Sequence, residues 1–168
     1  MTNPRKPLRL NIGFLVNSPI GVSRDFLFDS LSIASEDEVL IESIEGVAKI
    51  SRTPQGLLVE GKFAGIVSLE CARCLEEYPH TLHWEFTELF AFTHDNITDS
   101  GLLVPDDAHI DLQTLVHDFA LVEIPITPIC KPGCLGLCIE CGQNLNEQDC
   151  GHRPPSDSPF SVLKDLLE

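Results

Sequence analysis

Basic residues are scarce in this sequence, and the shortage sets the first limit on its function. The 168 residues include 11 Lys and Arg against 26 Asp and Glu, which gives a formal net charge of -15. A surface with this excess of negative charge repels a phosphate backbone on balance. The composition therefore disfavours direct, tight binding of nucleic acid. It suits a protein that meets basic partners, or one whose charge serves solubility alone.

Long apolar runs are also missing. No window approaches the roughly 18 apolar residues that a membrane-spanning helix requires. The segment from Met1 to Leu10 contains basic residues and prolines but no continuous apolar stretch of the kind that a secretory signal needs. We therefore expect a soluble, cytoplasmic protein without a membrane partner.

Motifs typical of enzymes are absent as well. The sequence has no glycine-rich loop of the kind that binds phosphate groups. Several histidines show no spacing typical of a metal site or of an activated nucleophile: His80, His83, His94, His109 and His117. We therefore predict a protein that is not an enzyme. Its hydrophobic fraction of 43% is sufficient to bury a core.

The first half of the chain, from Leu8 to Phe92, favours β-strands. β-branched and aromatic residues recur there, and Gly or Pro interrupts them. Two runs place apolar residues on one face at the spacing of a strand. The first run contains Val59, Phe63, Val67, Leu69 and Cys71, and the second contains Leu82, Trp84, Phe86, Phe90 and Phe92. We expect the runs to pair as a hairpin with Cys71 and Cys74 at its tip.

A helix is expected after the strands. Asp111 can cap it, and Pro125 prevents its continuation. Apolar residues lie between them at helical spacing: Leu112, Leu115, Val116, Phe119 and Ala120. Because helical segments do not alternate with the strands, a doubly wound nucleotide-binding fold is disfavoured. The expected fold class is α+β, with an antiparallel, curved or barrel-like sheet, a few helices and a C-terminal cysteine-rich loop that binds zinc.

The composition divides the chain into three predicted segments. Residues 1–128 form the α+β domain. Past Ile129 the chain becomes rich in Cys, Gly and Asn, so residues 129–153 form the zinc-binding segment. Residues 154–168 form a tail in which apolar residues from Phe160 to Leu167 favour a short amphipathic helix.

The segment from Cys130 to His152 carries the clearest chemical signal. Seven cysteines in a chain without an export signal indicate a reducing compartment, where clustered thiols hold metal more often than they form disulfides. Zinc takes four thiolate or imidazole ligands in structural sites, and a closed set leaves no position for catalysis. The alternative is a group of free thiols that pack as small apolar side chains. We predict Cys134, Cys138, Cys141 and Cys150 as the ligands of a structural zinc ion, with Cys130 and His152 as alternates.

The pair Cys71 and Cys74 is open to three interpretations. The two residues could share a site with Cys138 and Cys141, act as a redox dithiol, or be structural residues at a strand end. The structural interpretation is favoured. The redox interpretation has little support, because the sequence after the pair leads to another strand and not to the helix start of a thioredoxin-like motif. A second metal site that includes Cys71 and Cys74 stays open, and metal stoichiometry would decide.

An ordered set of motifs resembles one known family. The set consists of Leu69-Glu70-Cys71-Ala72-Arg73-Cys74-Leu75-Glu76, then Leu121-Val122-Glu123-Ile124-Pro125, then Gly136-Leu137-Cys138, Cys141-Gly142 and Asn144-Leu145-Asn146. It is similar to the bacterial large-subunit ribosomal RNA accumulation proteins of the YceD type. The resemblance implies a non-enzymatic factor for synthesis, processing or stability of large-subunit ribosomal RNA. His152 stands where Cys-x-Cys is typical of the family, so the last ligand is open.

Charge and resemblance together define the expected partner. Because the acidic surface disfavours naked RNA, we expect contact through a basic ribosomal protein or an assembly factor, with direct contact to ribosomal RNA as the second choice. Two alternative functions are an iron-binding, rubredoxin-like electron carrier and a zinc-stabilised protein-interaction module unrelated to ribosomes. Iron would give a visible absorption spectrum, whereas zinc would give none.

Overall fold

The computed structural model describes residues 6–34 and 39–152. Within them it has six strands and two α-helices. The strands are β1 (Arg9–Asn11), β2 (Ser23–Ala34), β3 (Leu40–Arg52), β4 (Gly56–Glu70), β5 (Glu77–Ala91) and β6 (His109–Asp111). The helices are α1 (Gly13–Val16) and α2 (Gln113–Val122), and a short 3-10 helix covers His94–Asn96. The tail at residues 154–168, with its predicted short helix, lies outside the described residues.

The chain divides into two compact units. The first unit contains the described residues of Met1–Leu69 and Pro79–Ile126, and the second contains those of Glu70–Tyr78 and Thr127–Glu168. The division at residues 128 and 153 that was made from the sequence stays a prediction. No helix among the described residues is long and apolar enough to cross a membrane.

An antiparallel sheet with the order β2-β3-β4-β5 forms the centre of the first unit. β3 pairs antiparallel with both β2 and β4, and left-handed backbone at Ser30 and Ser43 lies where the two registers shift. The predicted antiparallel sheet is thus confirmed. Among the described strands, β2 and β5 stay at opposite edges, so the sheet is open and does not close into the barrel that was considered.

The predicted strand faces are found in the structure. Val59, Phe63 and Val67 are buried on β4, and Leu82 and Trp84 are buried on β5. Lys62 and Ser68, on the other face of β4, are exposed. The alternation therefore directs one face of the hairpin into the apolar core.

Helix α2 contributes its own apolar face to that core. Val116 and Ala120 are fully buried, and the Phe119 ring centroid lies 5.1 Å from that of Phe86 on β5. The expected cap needs a small correction, because the cap position is Leu112 and not Asp111. Asp111 Oδ1 still accepts the backbone N–H of Gln113 at 3.0 Å, so its carboxylate satisfies a free amide of the first turn.

Candidate metal centre

The turn between β4 and β5 holds the first two cysteines of the second unit. β4 ends at Glu70 and β5 begins at Glu77, so Cys71 and Cys74 lie at the tip of the hairpin, as predicted. The backbone N–H of Leu75 donates to the carbonyl of Cys71 at 2.9 Å, and Leu75 takes a left-handed φ of 60°. These features fold the turn tightly and bring the two sulfurs to the same side.

The C-terminal segment packs against this turn inside the second unit. The backbone N–H of Ala72 donates to the carbonyl of Pro128 at 2.8 Å, and the N–H of Leu137 donates to the carbonyl of Arg73 at 3.0 Å. The guanidinium of Arg73 donates to the carbonyl of Cys134 at 3.0 Å. Two segments that are distant in sequence are thereby held together by backbone and side-chain hydrogen bonds.

Four cysteines meet where these segments join. We call Cys71, Cys74, Cys130 and Cys134 the four-cysteine cluster. Their sulfur atoms all lie within 4.8 Å of one another. The Sγ–Sγ distance is 3.9 Å for Cys71 and Cys134 and 3.7 Å for Cys74 and Cys130. Apart from the partly exposed Cys130, the cluster is buried.

These distances fit a tetrahedral metal ion. A Zn–S bond of about 2.3 Å in a regular tetrahedron separates the sulfur atoms by about 3.8 Å. The two Sγ–Sγ distances of 3.7 and 3.9 Å bracket that value. Disulfides need about 2.05 Å between sulfurs, and every cysteine of the cluster is free. The donor set and its spacing thus suit a metal ion with soft thiolate ligands.

The ionisation of the cluster is uneven. Burial opposes the thiolate at Cys71, but backbone N–H groups, that of Cys130 first, outweigh it and lower the pKa of Cys71 to about 6. At Cys130, burial and the neighbouring cysteine side chains raise the pKa to about 12. Repulsion between like charges lets only part of the cluster ionise. A divalent cation at the centre would favour all four thiolates.

A second group of ligand-type side chains follows along the same unit. We call Cys138, Cys141, Cys150 and His152 the three-cysteine histidine cluster. Their ligand atoms also lie within 4.8 Å of one another. Cys138 is buried and Cys150 is partly buried, whereas Cys141 and His152 are exposed. Backbone N–H groups of Cys141 and Glu140 lower the pKa of Cys138 to about 6.

The structure distributes the predicted ligands over both clusters. It brings Cys138, Cys141 and Cys150 together, but it places Cys134 in the other cluster. Both alternates, Cys130 and His152, lie in clusters as well. Cys71 and Cys74 lie with Cys130 and Cys134 and not with Cys138 and Cys141. The two clusters could each hold a metal ion.

Two asparagines and one glutamate, which were not predicted as site residues, support the four-cysteine cluster. Asn146 donates its side-chain amide to Cys134 Sγ at 3.3 Å and accepts the backbone N–H of Leu135 at 2.9 Å. Asn144 donates to Glu76 Oε1 at 2.8 Å. The sequence does contain a signal for the two asparagines. They belong to the Asn-Leu-Asn motif of the family resemblance, which follows shortly after the cysteine pair. Such outer partners orient metal ligands.

Comparison with known proteins decides the family. A family model described as large ribosomal RNA subunit accumulation protein YceD matches residues 59–167, which include both clusters. The chain belongs to the YceD family. The resemblance stated from the motifs is thereby confirmed. The family is named as an accumulation factor and not for a catalysed reaction.

Individual relatives of this YceD family member cover different parts of it. An uncharacterized protein of Mycobacterium tuberculosis is 36% identical over 127 residues, which are 71% of this chain and 59% of that protein. The large ribosomal RNA subunit accumulation protein YceD of Haemophilus influenzae is 29% identical over 152 residues, which are 80% of this chain and 84% of that protein. The chloroplastic YCED homolog 1 of Arabidopsis thaliana is 26% identical over 151 residues, which are 71% of this chain and 47% of that protein.

The chain spans 59% of the length of the mycobacterial proteins that it matches. No solved structure matches the chain.

Proposed function

We propose that this protein is a non-enzymatic factor that supports the synthesis, processing or stability of large-subunit ribosomal RNA. The observation that carries this proposal is the YceD family match over residues 59–167. The named relatives in Haemophilus and Arabidopsis support it, because both are large ribosomal RNA subunit accumulation proteins by name. The proposal places the protein in the cytoplasm, where a bacterial ribosome is assembled.

The proposal assigns a structural zinc ion to the four-cysteine cluster. Cys71, Cys74, Cys130 and Cys134 would hold the ion, and the Sγ–Sγ distances of 3.7 and 3.9 Å support that assignment. When bound, the ion would supply charge compensation for four thiolates and a cross-link between residues 71–74 and 130–134. Four protein ligands leave no open position for water or substrate. The site therefore acts on folding and not on a reaction.

The proposed partner is a basic ribosomal protein or a ribosome-assembly factor. The formal charge of -15 supports this choice, because it favours cationic surfaces and opposes a phosphate backbone. Ribosomal RNA would then be reached indirectly. Purified protein that binds naked ribosomal RNA as tightly as it binds ribosomal proteins would contradict this part of the proposal.

The test is complementation in a cell that lacks the gene. We expect the deletion to lower the ratio of large-subunit to small-subunit ribosomal RNA, and the wild-type gene to restore it. Cys74→Ser should fail to restore it, because it removes a buried ligand, whereas the control Lys131→Ala changes an exposed side chain of the same unit and should restore it. An unchanged RNA ratio in the deletion strain would overturn the proposed function.

Metal analysis of the purified protein tests the zinc assignment and the iron alternative together. We expect zinc and a colourless protein. Iron with a visible spectrum would favour the electron carrier, since four cysteines also suit an iron centre. Zinc without any effect on ribosomal RNA would leave the interaction module as the better description.

A further inference from the structure

The chain from Ile139 to His152 has no apolar core of its own, although Asn144 and Asn146 bond to Glu76 and Cys134. None of these residues is buried, although several are partly so. A segment of this kind cannot be stabilised by an apolar core and usually needs a cross-link. Its cysteines are free, so a disulfide does not supply one. Yet the segment has a defined path that converges on three sulfurs and one imidazole.

The first half of this path is a tight cysteine turn. The backbone N–H of Gly142 donates to the carbonyl of Cys138 at 2.9 Å, and Gly142 takes a left-handed φ of 73° that favours glycine. Two cysteines at this spacing in a tight turn are a typical half-site for structural zinc.

The second half brings two more ligands to the same point. Gly151 has a φ of 74°, and its N–H donates to Asp149 Oδ1 at 2.8 Å, which fixes a turn between Cys150 and His152. All four ligand atoms of the cluster lie within 4.8 Å of one another. A Cys3His set is one of the common ligand sets of structural zinc.

We propose that the three-cysteine histidine cluster is a second zinc site, separate from the four-cysteine cluster, and that its zinc exchanges faster. The two ligand sets share no residue. Leu135, Gly136 and Leu137 separate Cys134 of one cluster from Cys138 of the other. The second site therefore stands on its own residues, and it does not depend on the proposed role in ribosomal RNA accumulation.

The difference in exchange follows from exposure. Three of the four sulfurs in the four-cysteine cluster belong to buried residues, at 0%, 4% and 3% exposure. In the second cluster only Cys138 is buried, and both Cys141 and His152 are exposed. A chelator must contact the ion or displace a ligand, so it reaches the second site first. Burial of the ligand shell and its hydrogen bonds retains metal at the first site.

The experiment measures the zinc content and the release kinetics of the full chain. Native mass spectrometry should show two zinc ions per chain. A colorimetric chelator should then release them in two steps of equal amplitude, with the faster step at least about tenfold faster, because outer-shell partners alone change metal affinity by about 10–100-fold. A single zinc per chain, or a single release step for both ions, would overturn the proposal.

Single substitutions test which residues bind the zinc ion that is released in the fast step. Cys141→Ser and His152→Ala should each abolish the fast step and leave one slowly released zinc. His152→Cys should keep two zinc ions, because a thiolate replaces the imidazole. The control His109→Ala changes a histidine of the first unit and should leave both steps intact. Two zinc ions with unchanged release in both Cys141→Ser and His152→Ala would contradict the assignment.

Cobalt substitution gives a readout that does not depend on release. Cobalt in a site of three sulfurs and one nitrogen has a different visible spectrum from cobalt in a site of four sulfurs, so the wild type should show both signatures. His152→Ala should lose the sulfur-nitrogen signature alone. A spectrum of four-sulfur sites only would overturn the assignment of His152. Failure of the RNA complementation with both signatures present would remove the proposed function and leave this inference standing.

Discussion

The two units are stabilised by different means. In the first unit, aliphatic and aromatic side chains such as Ile50, Leu57 and Trp84 form a continuous buried cluster. In the second unit, the buried cluster consists of Cys71, Cys74 and Cys134, with only partly buried apolar residues against it. Apolar burial stabilises a fold without a cofactor, whereas a group of thiols does so only when a metal joins them. The first unit should therefore fold without metal, whereas the second should need metal to fold.

Metal removal should have the largest effect on stability. If it leaves the second unit folded, the two units are not stabilised by different means. We expect a strong chelator to abolish protection of backbone amides in residues 127–152 while leaving residues 40–70 protected. Apparent binding energies of structural zinc are on the order of 10 kcal/mol, which is more than a unit with so little buried apolar surface can replace. Hydrogen exchange with mass spectrometry measures both regions in one experiment.

The same experiment has an internal control. Trp84 is the only tryptophan of the chain and is buried in the first unit, so its fluorescence reports that unit alone. It should not change when metal is removed, and added zinc should restore protection in the second unit. Loss of the buried Trp84 signal together with the metal would show that the units do not differ in the proposed way.

A core substitution should give the next largest effect, now in the first unit. Leu57 is fully buried on β4, and Leu57→Ala should lower the free energy of unfolding by about 2–5 kcal/mol, because it leaves a cavity. Leu27→Ala is the matched control on β2, since Leu27 is 85% exposed, and it should change the free energy by less than about 0.5 kcal/mol. Urea unfolding followed by Trp84 fluorescence measures both variants.

The zinc content of Leu57→Ala tests whether the effect of the substitution stays within the first unit. Leu57→Ala should keep the zinc content of the wild type, because the ligands of both clusters lie in the second unit. Zinc loss that matches the loss of stability would mean that the two units unfold as one.

The sequence predicted the strands better than the spatial grouping of the cysteines, for a physical reason. The buried faces of β4 and β5 follow from local alternation, which five or six neighbouring residues are enough to show. The division of ligands depends on contacts such as that between Cys71 and Cys134, which are 63 residues apart. Spacing along the chain favours Cys134 with Cys138, because they are close in sequence. The turn that separates them, with Gly136 at a φ of 77°, is visible only in three dimensions.

The open sheet was unpredictable for a similar reason. Whether the edge strands β2 and β5 meet depends on twist and on the register shifts near Ser30 and Ser43, not on the alternation within each strand. The helix was easier, because its apolar spacing is local. The cap position lies only one residue after the expected one, and Asp111 still accepts a hydrogen bond from the first turn of the helix.

A surface carboxylate of the first unit should give the smallest effect. Asp107 accepts the backbone N–H of His109 at 3.0 Å and the guanidinium of Arg9 at 2.6 Å, and these contacts lower its pKa. A lowered pKa in the folded state means that the carboxylate adds stability above its unfolded pKa of about 3.9, and that this stability is lost as the pH falls through the folded value. Asp107→Asn should therefore reduce stability slightly at neutral pH.

The pH dependence separates this effect from a general change of charge. The difference in unfolding midpoint between wild type and Asp107→Asn should shrink as the pH falls from about 4 through the lowered pKa of the folded state, because the wild-type carboxyl group is protonated in both states only below that value. Asp106→Asn removes the same charge from the neighbouring exposed position and should show a smaller difference at neutral pH. Neither variant should alter the zinc content, since both positions lie in the first unit. A difference that persists at low pH would assign the contribution of Asp107 to its hydrogen bonds and not to its charge.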